Sequence, residues 1–329
     1  MYGHYYSNSS PHLYRGLQVW GWILAFSVLI ARYFLYDLCP LHPEDTLLPI
    51  DRIWLLSAKG LLLFLTGISG YRLILHSLLL SPAARRLFGY LFPLLAVAMS
   101  PSLIHLAIMF IEVWMLRNLF DLYQHPNTVL AFNMGALFGA IVLLWPPMLY
   151  CLVALPFLMY LMRCLSWRTL VAFGLGLVAL PFIVLPIVFS LSPEGLWPYF
   201  AALFEKAFSP SWFWCSFYFT GEWWGYAPVL LILLYLPGLF TLRVTYLDGQ
   251  LRTRVRLSSL STFVFIVLLL TVFNGKTYEG FFLLTVFPVT VLTAMMLMHT
   301  RALTRKILLA FLTLACVVLG LAPVVASFF

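Results

Sequence analysis

The chain has 329 residues, of which only 9% are charged and 63% are hydrophobic, and its mean hydropathy is +1.00. Soluble domains carry about 25% charged residues, so this composition excludes a water-soluble fold. The formal net charge of +8 does not indicate a nucleic-acid partner, because basic residues that flank membrane spans account for it.

Long apolar runs recur along the chain without strand-like alternation, so helices must satisfy the backbone within the lipid. They predict an all-α polytopic membrane protein with about eleven transmembrane helices in a single integral-membrane domain, 1–329. The predicted spans cover residues 17–36, 53–80, 87–99, 102–116, 129–145, 148–162, 169–190, 226–242, 257–273, 280–298 and 307–327. The third and fourth are short and adjoin Ser100 and Pro101, so they form either two spans or one re-entrant hairpin.

Basic residues predict the orientation of these spans. With the N-terminus in the cytoplasm and the C-terminus outside, most of the 19 Lys and Arg residues fall on the inner side. They include those of a basic cytoplasmic loop, 243–256, whereas the outer segments hold only Arg52, Lys206 and Lys276. Such a bias is typical of correctly oriented membrane proteins. Most of the 11 acidic residues fall on the outer side, which topology alone does not require.

The first predicted outer loop, 37–52, contains the stretch LHPEDTLLPIDR, with Glu44 and Asp45 side by side. A carboxylate at this place can accept a proton from an attacking hydroxyl or bind a divalent metal ion, for which Asp45 is the candidate ligand. The alternative is an interfacial helix, because Pro43 suits a first turn and the two acids complement the positive end of a helix. The sequence leaves both interpretations open.

Other predicted outer residues suit the binding of a phosphate-bearing lipid or a sugar. Lys59 lies two turns inside the second span and Lys276 lies in the outer loop NGKTYEG, so both are candidates for binding a lipid phosphate. The alternatives are snorkelling of Lys59 to the headgroups and a simple polar turn at Lys276. The aromatic outer segment 191–225 predicts either a lid over the substrate or an interfacial helix. The candidate lid residues are Glu222, Trp223, Trp224 and Glu279.

A few polar residues lie within predicted spans. Arg72 and Glu112 have opposite charges and are candidates for an intramembrane ion pair. His105 lies seven residues before Glu112, hence on roughly the same helix face, where the two form either a proton relay or a packed polar contact. Cys39 and Cys215 both fall outside, where a disulfide can form, although the sequence does not show that they meet.

Residues 60–191 resemble an uncharacterised family of multi-pass inner-membrane proteins from Gram-negative bacteria. The segments that carry the resemblance are YRLILHSLLL, FPLLAVAMSPSLIHL, GALFGAIVLLWPPMLYCLVALPFLMYL and LSWRTLVAFGLGLVALPF. The resemblance implies a location in the bacterial inner membrane and no particular activity.

The layout also resembles the GT-C fold of glycosyltransferases that use polyprenyl-phosphate sugars. In those enzymes an acidic pair follows the first span, the place that Glu44 and Asp45 occupy, and TYEGFFLLTVFPVTVLTAMML resembles their late helix. This resemblance implies sugar transfer from a polyprenyl-phosphate donor to a lipid or surface glycan. In that case Glu44 or Asp45 would be the base or metal ligand, and Lys59 and Lys276 would hold phosphate.

Two other classes of function remain open. The first is a non-catalytic membrane subunit that scaffolds an envelope-assembly or secretion complex. The second is a transporter, which the sequence supports least because few intramembrane polar residues line a path. Membrane lipids are expected partners in every case.

Overall fold

The computed structural model describes residues 16–34, 52–99, 101–191, 201, 205, 227–248, 251–273 and 278–326. Within these residues the chain forms eleven α-helices and one 3₁₀ helix, Pro146–Val153, and contains no strand. The α-helices are α1 (Leu17–Phe34), α2 (Arg52–Ser77), α3 (Pro82–Ala98), α4 (Leu103–Asp121), α5 (Thr128–Leu144), α6 (Ala154–Leu161), α7 (Trp167–Leu191), α8 (Ala227–Asp248), α9 (Leu251–Phe273), α10 (Tyr278–His299) and α11 (Ala302–Ala326).

Each predicted span overlaps one of these α-helices, and the all-α polytopic membrane class is confirmed. In the described part of the chain, six helices are long and apolar enough to cross a membrane, namely α2, α4, α7, α9, α10 and α11. By itself, α4 is long and apolar enough for a full span. The number of spans beyond these six and the cytoplasmic N-terminus stay predictions.

Two regions differ from the predicted helix pattern. The predicted span 148–162 begins as the 3₁₀ helix and continues as the short α6. Pro146 and Pro147 end α5, because they lack the amide hydrogens that would continue its hydrogen bonding. The predicted basic loop 243–256 is mostly helical, since α8 continues to Asp248 and α9 begins at Leu251.

The chain divides into two compact units. The first unit comprises Met1–Ser100, Gly221–Arg243 and Val289–Phe329, and the second comprises Pro101–Thr220 and Val244–Pro288. The division falls within α8 and within α10, so each of these helices contributes residues to both units.

In the first unit, α3 packs against α1, α2 and α11. The close approach of α1 to α3 depends on Gly21, where a Cβ atom would lie 2.5 Å from the Tyr90 carbonyl oxygen. The turn into α3 contains Leu78, whose φ of 51° lies in the left-handed region. Ser81 then caps the helix by accepting a hydrogen bond from the Ala84 amide at 3.4 Å.

In the second unit, α5 packs closely against α7 and also contacts α4. Three glycines allow the backbones of α5 and α7 to approach. A Cβ atom at Gly135 would overlap the Phe173 carbonyl oxygen, and one at Gly139 would lie 2.6 Å from the Leu177 carbonyl oxygen. From the other side, a Cβ atom at Gly176 would overlap the Phe132 carbonyl oxygen. Small residues at such spacing are a common basis of helix packing in lipid, where apolar burial supplies little driving force.

Burial differs sharply among the apolar helices. On α7 large side chains are exposed, with Phe182 at 75% and Leu175 at 62%, as is expected of a helix face in contact with lipid. In contrast, every residue of α10 from Gly280 to Leu297 is buried. Two of its hydroxyl groups bond within the helix, since Thr285 donates to the Phe282 carbonyl at 2.7 Å and Thr293 donates to the Val289 carbonyl at 2.8 Å.

Candidate functional site

Most of the predicted site residues lie outside the described part of the chain. These are Glu44, Asp45, Glu222, Trp223, Trp224 and Lys276. The same holds for the predicted disulfide partners Cys39 and Cys215. Glu279 belongs to the first turn of α10, but its side chain is not among the described ones. The structure therefore does not test the proposed base, the metal ligand Asp45 or the lid.

Lys59 is the one predicted site residue whose side chain is described. It is half-buried on α2, in the candidate span Ile53–Ser77. It lies about 10 Å along the helix axis from Arg52, by the rise of 1.5 Å per residue. A cation at this depth in an apolar helix is costly unless it reaches water, a headgroup or a partner, which keeps Lys59 a functional candidate.

A buried polar cluster in the second unit surrounds His105 at the start of α4. Ser102 caps the helix by accepting from the His105 amide at 3.2 Å, and the Ser102 hydroxyl also lies 2.6 Å from His105 Nδ1. The His105 ring contacts Trp145 edge-on, with ring centroids 5.6 Å apart, and Trp145 contacts Phe281 in the same way at 4.9 Å. A Cβ atom at Gly280 would lie 2.7 Å from His105 Nε2, so this glycine makes room for the imidazole.

Glu112 lies two turns further along α4 and is completely buried. Neither of its carboxylate oxygens has a hydrogen-bond partner among the described residues, and Cys151 lies close enough to interact electrostatically. Arg72 belongs to the first unit and Glu112 to the second, so the ion pair between them stays a prediction. His105 and Glu112 form no direct hydrogen bond, since they lie about 10 Å apart along the helix axis.

This arrangement has a definite chemical consequence. A buried carboxyl group without a hydrogen bond among the described residues is costly, and a polar residue of this kind within a span is a candidate functional residue. His105 is instead held by the contact of its Nδ1 with the Ser102 hydroxyl and by packing against Trp145. Of the two interpretations from the sequence, the packed polar contact fits His105, whereas a direct relay between the two residues has no hydrogen bond to carry it.

Arg256 on α9 is a buried residue whose role the sequence did not indicate. It is 4% exposed, and its Nη2 donates to the Phe120 carbonyl oxygen at 3.1 Å. The guanidinium also lies 5.7 Å from the centroid of the Phe120 ring, while Arg252 lies 6.0 Å from the Tyr123 ring centroid. The Phe120 carbonyl, in the last turn of α4, also accepts from the Tyr123 amide at 3.4 Å, so Arg256 supplies a second, charged donor at this helix end. Part of the predicted basic loop is therefore structural.

Among the described residues, no group of three or more His, Cys, Asp and Glu side chains is arranged to hold a metal ion. The fold and its long apolar helices define a multi-pass membrane protein. The chain matches no family model, no curated protein and no solved structure.

Proposed function

We propose that the protein acts on a polyprenyl-phosphate-linked sugar or a related envelope glycolipid at the outer face of a bacterial inner membrane, with a GT-C-like arrangement of helices. The observation that supports this function is the half-buried Lys59 inside an apolar candidate span. A lysine at that depth suits the phosphate of a lipid whose chain lies in the bilayer. The all-α polytopic fold is consistent with the proposal but does not distinguish it from other membrane functions.

The proposed reaction assigns one role to each candidate. Lys59 and Lys276 would neutralise the phosphate of the donor, which leaves with the electron pair of the glycosidic bond as the acceptor oxygen bonds to the sugar. Glu44 or Asp45 would take the proton from the acceptor hydroxyl. Asp45 would alternatively hold a divalent metal ion at the leaving phosphate. Glu222, Trp223, Trp224 and Glu279 would cover the sugar, since aromatic faces and carboxylates suit sugar rings and hydroxyls.

The experiment compares single variants in membranes supplied with radiolabelled polyprenyl-phosphate sugar. Lys59→Ala is expected to lower transfer at least tenfold and Lys59→Arg to retain part of it, because the arginine keeps the charge. Glu44→Gln and Asp45→Asn are expected to lower the rate by 10²-fold to 10⁴-fold at whichever position holds the base, on the order expected for general base catalysis. Arg168→Gln, which removes an exposed charge from α7, is the control.

Two results would count against the enzyme. Wild-type protein that transfers no label from any such donor would exclude it. So would Glu44→Gln and Asp45→Asn variants that both retain full transfer. If those variants also leave surface glycans intact while the protein co-purifies with membrane partners, the scaffold function replaces the proposed one.

A further inference from the structure

A groove lies in the first unit between α1, α3 and α11, with a volume of about 530 Å³. Most of its lining is apolar, including Leu17 of α1 and Leu309 and Val317 of α11. Two basic residues, Arg305 and Lys306, line it near the start of α11, and its described lining includes no acidic residue. A volume in this range is typical of ligand sites, which span about 300–1,000 Å³.

The charged and apolar parts of the groove are ordered along α11. From Lys306 to Val317 the helix rises by about 16 Å, at 1.5 Å per residue. One leaflet contributes about 15 Å to the hydrocarbon thickness of a bilayer. The groove is therefore basic at one end and apolar over the depth of about one leaflet, which is the pattern of an anionic headgroup followed by an acyl chain.

The two cations differ in how they are held. Arg305 is 8% exposed, and its Nη1 lies 3.8 Å from the Met298 sulfur, so its guanidinium is set into the protein. Lys306 is exposed and keeps a long, flexible side chain. A fixed guanidinium beside a flexible ammonium suits a phosphate group, which accepts several charge-assisted hydrogen bonds at once.

A pair of hydroxyls braces the groove between α3 and α11. Tyr90 Oη lies 2.7 Å from Thr313 Oγ1, and Thr313 in turn donates to the Leu309 carbonyl at 2.7 Å. Since Thr313 uses its proton for Leu309, Tyr90 is the donor of the first bond. Both hydroxyl protons are thus used within the protein, so the pair keeps the groove in shape and the basic residues remain the groups that recognise the headgroup.

We propose that this groove is a binding site for an anionic phospholipid, with its phosphate at Arg305 and Lys306 and an acyl chain along Leu309 and Val317. Positive-inside bias explains basic residues beside a span, but it does not require an apolar groove that leads away from them. In the predicted orientation this end of α11 is cytoplasmic, so the lipid belongs to the inner leaflet. The site is independent of the proposed sugar transfer, whose candidate residues lie on the predicted outer side.

The test measures lipid selectivity of the purified full-length protein in nanodiscs of phosphatidylcholine that contain fluorescent phosphatidylglycerol. The wild-type protein is expected to prefer phosphatidylglycerol to phosphatidylcholine at least tenfold. The double variant Arg305→Gln/Lys306→Gln is expected to weaken phosphatidylglycerol binding about thirtyfold, which corresponds to about 2 kcal/mol at about 1 kcal/mol for each cation. Arg168→Gln/Arg243→Gln removes the same charge from exposed positions outside the groove and is expected to change binding less than twofold.

A second variant tests the apolar part of the groove without changing charge. Ala310 is exposed and lines the groove, so Ala310→Trp fills it and is expected to weaken binding at least fivefold. The proposal is overturned if the control double variant loses as much affinity as the groove variant, because the attraction would then be diffuse. It is also overturned if Ala310→Trp has no effect, or if inorganic phosphate at millimolar concentration displaces the lipid completely. Should the double variant fail to fold, Lys306→Gln and Ala310→Trp decide the matter.

Discussion

The contact between α5 and α7 predicts opposite effects for two glycines on the same helix. A Cβ atom at Gly176 would overlap the Phe132 carbonyl oxygen and would lie 2.9 Å from the Ala136 amide nitrogen. These are backbone atoms, which cannot rotate away, so the two helices must separate. At Gly174, two residues earlier, an added Cβ atom meets nothing within 4 Å. Gly174→Ala is therefore a matched control for Gly176→Ala.

The magnitudes follow from packing and helix propensity. Overpacking of a close contact costs about 1–3 kcal/mol, whereas replacing a helical glycine by alanine gains up to about 1 kcal/mol from propensity. Gly176→Ala is thus expected to lower the free energy of unfolding by up to about 2 kcal/mol, because the propensity gain offsets part of the strain. Gly174→Ala is expected to leave it unchanged or to raise it by up to about 1 kcal/mol.

Unfolding in mixed micelles with increasing SDS, followed by circular dichroism, measures the difference between the two variants. Gly139→Ala, which would approach the Leu177 carbonyl oxygen to 2.6 Å, should behave like Gly176→Ala. Equal stabilities of Gly176→Ala and Gly174→Ala would refute the inference that α5 and α7 meet through their backbones.

Four further predictions concern other contacts. Glu112→Met is expected to raise the midpoint of SDS unfolding, because it removes a buried carboxylate without a hydrogen bond, and an unchanged or lower midpoint would contradict that description. Arg256→Met should lower stability by about 1–3 kcal/mol by removing the charged donor to the Phe120 carbonyl, which would keep only the Tyr123 amide at 3.4 Å, whereas exposed Arg168→Met should not. Leu78→Gly removes the steric cost of the left-handed φ and should raise the free energy of unfolding by about 1 kcal/mol in the same assay; a lower free energy of unfolding would disprove this. Burial raises the pKa of Cys164, in the turn between α6 and α7, to about 11 from 9.0. The thiol should therefore resist iodoacetamide below pH 9, and rapid labelling at pH 8 would contradict this. Stability should also fall between pH 9 and 11, because only the thiol of the unfolded chain ionises in that range.

The positions of the helices could be predicted from the sequence because each depends on a local property, the length of an apolar run and the prolines that interrupt it. The 3₁₀ helix that begins at Pro146 could be predicted only as a turn, because tandem prolines indicate that a helix is interrupted but not how the chain continues. Near 243–256 the helices continue beyond the predicted spans, because charged residues mark where an apolar run ends and not where the helix ends. The contact of Arg256 with α4 cannot be read from the sequence, since it depends on a residue 136 positions away.

The contacts within the membrane could not be predicted, because they depend on which faces of distant helices meet. Opposite charge makes Arg72 and Glu112 candidates for an ion pair, but the sequence does not show which faces of α2 and α4 meet. The sequence GALFG does not show that Gly135 and Gly139 approach α7, because that contact depends on how the backbones of α5 and α7 are placed. Likewise, the basic residues at the start of α11 indicated orientation, and the groove beside them arises from three separate helices.

The internal bonding of α10 bears on how the protein enters the membrane. Although this helix is buried from Gly280 to Leu297, Thr285 and Thr293 donate their hydroxyl protons to its own carbonyls, so these two groups need no acceptor on a neighbouring helix. Neither hydroxyl therefore adds an unsatisfied donor when the helix first enters the lipid, before its neighbours pack around it.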